Sequence, residues 1–243
     1  MPNGGGVVEL SVIDGFELRV AGTAVELAPA CQRLVAFLAL WERPVTRSFI
    51  GGSLWTGSDD GHAGASLRSA LWRLPSRVLV RATPTHLALG DGVAVDYREV
   101  VRWSTTVLAG TLDVGPSPWT VPRIAALTGE VLPDWYDDRV LPTRERYRQL
   151  RLHALESLCE RLAESGRIGE ALLAGLGAVV VEPLRESAHR RVIDVHLREG
   201  NVVEALRQYR SYERMLRDEL SLEPSPDLRA RVAPLLRGAA RLA

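Results

Sequence analysis

Gly166-Arg-Ile-Gly-Glu170-Ala171-Leu172 returns 34 residues later as Gly200-Asn-Val-Val-Glu204-Ala205-Leu206. Gly, Glu, Ala and Leu recur at a single offset. A period of about 34 residues belongs to repeated helix–turn–helix units, none of which can bury its apolar face without a neighbour to stack on. In such a unit the small Gly and Ala let two antiparallel helices approach closely, while the Leu faces the groove between neighbouring pairs. The repeat therefore predicts a C-terminal half that is a helical interaction scaffold rather than a catalytic pocket.

At 243 residues, 46% of them apolar, the chain has room for about two domains with their own cores. All thirty basic residues are Arg and thirty acids balance them. The net charge of zero leaves no global field to attract nucleic acid or an anionic membrane. Cys31 and Cys159 stand far apart, which favours two buried thiols in a reducing cytoplasm over a disulfide. The opening Met1-Pro2-Asn3-Gly4-Gly5-Gly6 has neither the basic region nor the apolar core of a secretory signal. No apolar run approaches the roughly 18 residues of a membrane span. The expectation is a soluble, cytoplasmic protein with no membrane partner.

Residues 7–27 alternate in short apolar runs separated by Asp14-Gly15 and Ala21-Gly22, the pattern of a small antiparallel sheet. The period then turns helical. Leu34, Val35, Leu38 and Trp41 form one stripe that Pro44 stops, and a short helix follows from Ser48 to Leu54. Asp59-Asp60-Gly61 reads as a turn into a helix of about His62–Leu74, whose Leu67, Ala70, Leu71 and Leu74 face the core. Val78–Arg81 and His86–Leu89 are strand-like and joined through Ala82–Thr85 as a hairpin; Val93, Val95 and Tyr97 close the block. The order sheet, three helices, hairpin describes a winged helix with an N-terminal β platform over residues 1–97. From Val100 onward the pattern is almost wholly helical, so residues 98–243 form an all-α, tetratricopeptide-like domain.

Residues 1–97 carry eight Arg against nine acids, a net of −1. The distribution matters more than the sum. Between Gly61 and Gly90 stand Arg68, Arg73, Arg77, Arg81, His62 and His86, with no acid among them. Local cations that release counterions from phosphates are sufficient for DNA binding, and Arg can pair bidentately with guanine in the major groove. The outer face of the third helix (Ser66, Arg68, Ser69, Trp72 and Arg73) is the candidate reading surface, with Arg68 at its centre. Arg77, Arg81, Thr83, Thr85 and His86 at the hairpin are candidate backbone or minor-groove contacts.

Ala65-Ser-Leu67-Arg68-Ser-Ala-Leu71-Trp72-Arg73-Leu74, preceded by Leu54-Trp55, resembles the recognition-helix region of the actinomycete antibiotic regulatory proteins. Glu182-Pro183-Leu184-Arg185-Glu186-Ser-Ala-His189-Arg190, the Gly200–Tyr209 segment and Leu220-Ser-Leu-Glu-Pro224-Ser225-Pro226-Asp-Leu228 are similar to that family's bacterial transcriptional activator domain. The resemblance runs from about Val7 to Leu236. It implies an activator that binds direct repeats in double-stranded DNA near a promoter, contacts RNA polymerase, pairs with a second protomer on DNA and often controls secondary-metabolite genes. The chain departs from the family at Gly64 and Pro75, where Arg is common, and at Glu182, where Asp is usual and where Glu still supports the next helix start.

Glu186-x-x-His189 has the spacing of a di-iron ligand pair, but no second such motif accompanies it, so a packing histidine is expected. No phosphate loop, nucleophile elbow or Cys–His pair stands out. The sequence thus points to no catalytic residue, no cofactor and no metal. A second reading keeps the helical scaffold but has the winged helix no longer bind DNA.

Overall fold

A computed structural model describes residues 7–76, 78–111, 120–135 and 140–240, with side chains to 236. Strands β1 (Val8–Ser11), β2 (Glu17–Val20) and β3 (Thr23–Ala24) form the expected antiparallel meander, in which the buried Leu10 lies opposite the buried Leu18. The sheet order is β3-β2-β1-β7, and β7 (Val93–Val95) runs parallel to β1, placing Val95 opposite Leu10. Local pattern marked Val93 and Val95 only as the end of the block. A parallel partner from the far end of a unit leaves no turn signal to read.

Helix α1 (Pro29–Leu40) buries Leu34, Val35 and Leu38 as the stripe requires, but Trp41 lies beyond the helix in extended backbone. Arg98 satisfies carbonyls that the helix end leaves open, donating to Leu38, Ala39 and Trp41 at 2.6–2.9 Å. Strand β4 (Val45–Thr46) leads into α2 (Arg47–Leu54), which is capped by Thr46 rather than started by Ser48: Thr46 Oγ1 accepts from Phe49 N at 3.4 Å. Helix α3 spans Asp60–Trp72, two residues earlier at each end than its periodicity suggested. Strands β5 (Val80–Ala82) and β6 (His86–Leu89) pair as the hairpin, with β4 on the other edge of β6. Helix α4 (Asp96–Leu108) starts at a carboxylate that accepts from Val12 N at 2.9 Å and Ile13 N at 3.1 Å.

The chain divides into two compact units. The first joins Met1–Val101 with a returning segment, Gly129–Tyr147. In it Ile13 bridges Val131, Asp14 N donates to the Glu130 carbonyl at 2.6 Å, and Glu130 N donates back to Asp14 Oδ1 at 2.8 Å. The ring of the buried Tyr97 lies 5.5 Å from that of Tyr147.

The second unit comprises Arg102–Thr128 and Arg148–Ala243. Its helices are the end of α4, α5 (Thr120–Ala126), the greater part of α6 (Leu141–Glu164), α7 (Ile168–Val181), α8 (Glu186–Arg198), α9 (Val202–Leu220) and α10 (Pro226–Ala240). Helices α7 to α10 pack each on the next, as a 34-residue helix-pair repeat requires. Both repeat copies open on a glycine at positive φ, Gly166 at 77° and Gly200 at 80°, two residues before a helix begins. A Cβ at either position would meet no atom, so these glycines serve the left-handed turn and not close helix approach. Close approach falls to the fully buried Ala171 and Ala205, and to Gly175, where a Cβ would sit 2.9 Å from Val192 Cγ2 and 3.0 Å from Cys159 Sγ.

The motif residues of this unit have structural work. Glu156 accepts from Arg185 Nε at 2.7 Å, from Arg185 Nη2 at 3.1 Å and from the Ser187 hydroxyl. Glu186 accepts from Ser225 N at 2.8 Å and from the Ser225 hydroxyl, whose oxygen also accepts from Leu228 N and so caps α10. Glu182 closes α7 and pairs with Arg148 through its side chain, while its carbonyl accepts from the N–H of Arg185, the residue before α8, at 3.1 Å. Apolar packing joins these elements through Ile193, Tyr209, Tyr212, Leu216, Leu228 and Val232. The architecture is the expected one, an α+β winged helix with a β platform followed by an all-α unit. Among the described residues no helix is long and apolar enough to cross a membrane.

Candidate nucleic-acid interface

Helix α3 packs inward through Ala63, Leu67 and Ala70, which leaves Arg68, Ser69, Trp72 and Arg73 exposed and Ser66 half-buried. Leu71 and Leu74, expected in the core, are only half-buried. The Trp72 indole is 88% exposed, more than any other large apolar side chain described. A ring of that size left in water on the face that also carries Arg68 and Arg73 is the most conspicuous feature of this surface. Among the described residues, neither Arg68 nor Arg73 makes an ion pair.

The N-terminal end of the same helix is acidic. Asp59 caps α3, accepting from His62 N at 2.8 Å, and its other oxygen lies 2.8 Å from His62 Nδ1. The His62 backbone and ring hold the Asp59 carboxyl below its usual range, so Asp59 beside Asp60 is anionic at neutral pH. The expected turn is thus an N-cap, and it opposes phosphate at the helix end that otherwise favours anions.

A cleft of 350 Å³ brings α2, α3 and the hairpin tip together, with Arg47, Ser48, Asp60, Gly64, Arg68 and Pro84 on its walls. Arg47 fixes the tip: its backbone N donates to the Thr85 carbonyl at 2.9 Å and its Nε to the Thr83 carbonyl at 3.0 Å. Arg47 and Ser48 were not among the expected contact residues because they precede the acid-free window, Ser48 being read only as a helix start; the Thr46 cap before them was the readable sign. Thr83 Oγ1 accepts from His86 N, and Thr85 Oγ1 lies 2.9 Å from His86 Nδ1, so these residues first shape the turn. Arg81 pairs with Asp91 at 2.9 Å, the window's first acid downstream, so acid-free in sequence is not acid-free in space. Arg77 lies outside the described residues.

Gly64 is helical, and a Cβ there would approach only Arg68 Nη1, at 3.5 Å, the mobile end of a side chain. Gly64→Ala is therefore expected to raise stability by about 0.5–1 kcal/mol, read as a higher thermal midpoint. A lower midpoint would mean that the open floor of the cleft is needed for folding.

The other groups that invited a chemical reading are accounted for by packing. His189 is 1% exposed, with Nε2 2.8 Å from the Pro183 carbonyl and Nδ1 2.9 Å from Gln208 Nε2. Burial lowers its pKa, so the neutral ring donates through Nε2 and accepts at Nδ1. Burial also pushes the Cys159 thiol up to about 12 and raises that of Cys31, which leaves both poorly nucleophilic. Among the described residues no group of acidic, His or Cys side chains is placed to hold a metal ion.

Comparison with known proteins bears on the helical unit. The model of the bacterial transcriptional activator domain matches residues 123–236. The match covers just under half of the chain, which is similar to that family there. The matched residues include the Glu156–Arg185–Ser187 cluster and the Glu186–Ser225 hydrogen bonds described above. A Mycobacterium tuberculosis EmbR structure, in complex with a low affinity phosphopeptide, matches with a TM-score of 0.68 at 21% identity. The match covers 96% of this chain and 66% of that chain, and it establishes a shared fold that spans the winged helix and the activator domain. No curated protein sequence matches. The resemblance to the actinomycete antibiotic regulatory proteins read from the sequence agrees with both findings.

Proposed function

We propose that the chain regulates transcription by binding double-stranded DNA through its winged helix, with the activator domain contacting RNA polymerase or a second protomer. The observation that carries this reading is the outer face of α3, where Arg68 and Arg73, without an ion pair among the described residues, flank an 88%-exposed Trp72. Asp59 and Asp60 disfavour docking by the helix tip, so the body of α3, from Ser66 to Arg73, lies against the groove. Arg47 and the hairpin tip then face phosphates. Activation at promoter direct repeats, for secondary-metabolite genes in a bacterial cytoplasm, is the role that the family resemblance supports.

The test is a gel-shift series with promoter fragments from the neighbouring genes across salt concentration. A preferred fragment whose affinity falls with salt is expected. Loss of Arg81 should lower the salt slope by about 0.9, provided that Arg81 exchanges Asp91 for a phosphate on docking. An unchanged slope assigns the Arg81–Asp91 pair to the hairpin's own architecture.

The acidic cap and that ion pair favour a second reading, a protein-interaction scaffold whose winged helix has lost DNA binding. The absence of any salt-sensitive fragment preference, together with recovery of a protein partner, would decide for it.

A further inference from the structure

We propose that the first unit holds a binding pocket for a flat, uncharged aromatic molecule. A cavity of 310 Å³ lies between the end of α1, helix α2 and the returning segment. That volume is at the lower end of the range for small-molecule sites. Phe37, Trp41, Phe49 and Trp135 line it, two of them from the chain's three Phe. Phe37 stacks on Trp41 at 5.8 Å and Phe49 meets the Trp41 ring edge-on at 5.6 Å. Trp135 belongs to the returning segment and stacks separately on Phe16 at 6.0 Å. Two braced groups of rings thus border one cavity, and among the described residues no ring contact joins Trp135 to the other three. A planar ligand between them gains stacking on surfaces already ordered, at little entropic cost.

The lining also sets the ligand's polarity. Among the described residues it contains no acid to accept a cation, and its one ionisable residue is Arg33. A charged ligand would lose hydration against mostly apolar walls, whereas the Ser53 and Thr143 hydroxyls can each serve one neutral polar group. A partner helix, about 10–12 Å across, needs more room than this cavity offers.

Phe49, Ser53 and Leu54 come from α2, and α2 supports α3 where Gly51 packs against Ala63. Occupancy of the pocket therefore acts on the helix that carries the reading surface. This coupling, unlike the pocket itself, rests on the DNA-binding reading above.

Titration of the full chain with N-phenyl-1-naphthylamine, a neutral fluorophore that offers a flat naphthalene ring system, tests the pocket without DNA. One saturable site is expected, with energy transfer from tryptophan. Phe49→Ala and Thr143→Phe should each weaken binding about tenfold or more, and Trp72→Ala should leave it unchanged. Phe49 is 49% exposed, so its truncation is compatible with folding, and thermal melts verify this for both variants. Non-saturable binding, or unchanged binding in both pocket variants, overturns the proposal, as does tighter binding of the anionic 1-anilinonaphthalene-8-sulfonate. A pocket that binds the probe in a chain that binds no DNA would leave the site standing and refute the DNA-binding reading alone.

Discussion

Glu156→Ala is expected to cost the activator domain about 3–5 kcal/mol, the largest effect of any single substitution considered for this chain. Glu156 is only 9% exposed and accepts from two guanidinium nitrogens of Arg185, Nε and Nη2, as well as from the Ser187 hydroxyl. Its removal strands a largely buried cation and an unpaired hydroxyl at the start of α8. Burial pushes the Glu156 carboxyl up, but the bonds from Arg185 and Ser187 outweigh it and hold the group below its usual range. A carboxylate with a lowered pKa stabilises the fold above its unfolded value, near 4.5, and that contribution disappears as pH falls through the folded value. Urea denaturation at neutral pH measures the loss. Glu156→Gln, compared with the parent over an acid series, should flatten the decline below about pH 4.5. A parallel decline in both proteins would assign the acid sensitivity to other groups.

Arg68→Ala should weaken operator binding by about 1–3 kcal/mol and relax preference at one base pair. Arg68 stands exposed on the body of α3, without an ion-pair partner among the described residues, on the wall that α3 shares with Arg47 and Pro84. Competition with a set of single-base operator variants is the decisive measurement. Uniform loss on operator and random DNA would make Arg68 a phosphate contact and move specificity to Ser69 and Trp72.

The parts of this molecule that could be read from sequence are those written in local periodicity. Leu34, Val35 and Leu38 gave α1, and Leu67 and Ala70 gave the buried face of α3. The 34-residue offset placed α7 and α9. Whatever depends on distant partners stayed hidden: the parallel pairing of β7 with β1, the bridge from Ile13 to Val131, and the pairing of Arg81 with Asp91. Gly166 and Gly200 were legible as important, but the reason was mistaken, because sequence cannot distinguish a glycine needed for its φ from one needed for its small size. The exposed half of the candidate surface was foreseen through helical phase. Arg47 was not, since its part in the site comes from touching a hairpin tip that lies far along the chain.

The returning segment also bears on how the protein is made. Ile13 and Asp14 pair with Val131 and Glu130, and the Tyr97 ring packs beside Tyr147. A ribosome adding about 5–20 residues per second must work for several seconds after the end of β7 before the first unit can close. During that interval the nascent winged helix lacks part of its edge, and intramolecular closure competes with aggregation and chaperone capture. Substitutions in residues 129–147 should therefore lower the yield of folded N-terminal unit, and a truncation at Tyr97 would keep the newborn chain in that unfinished state.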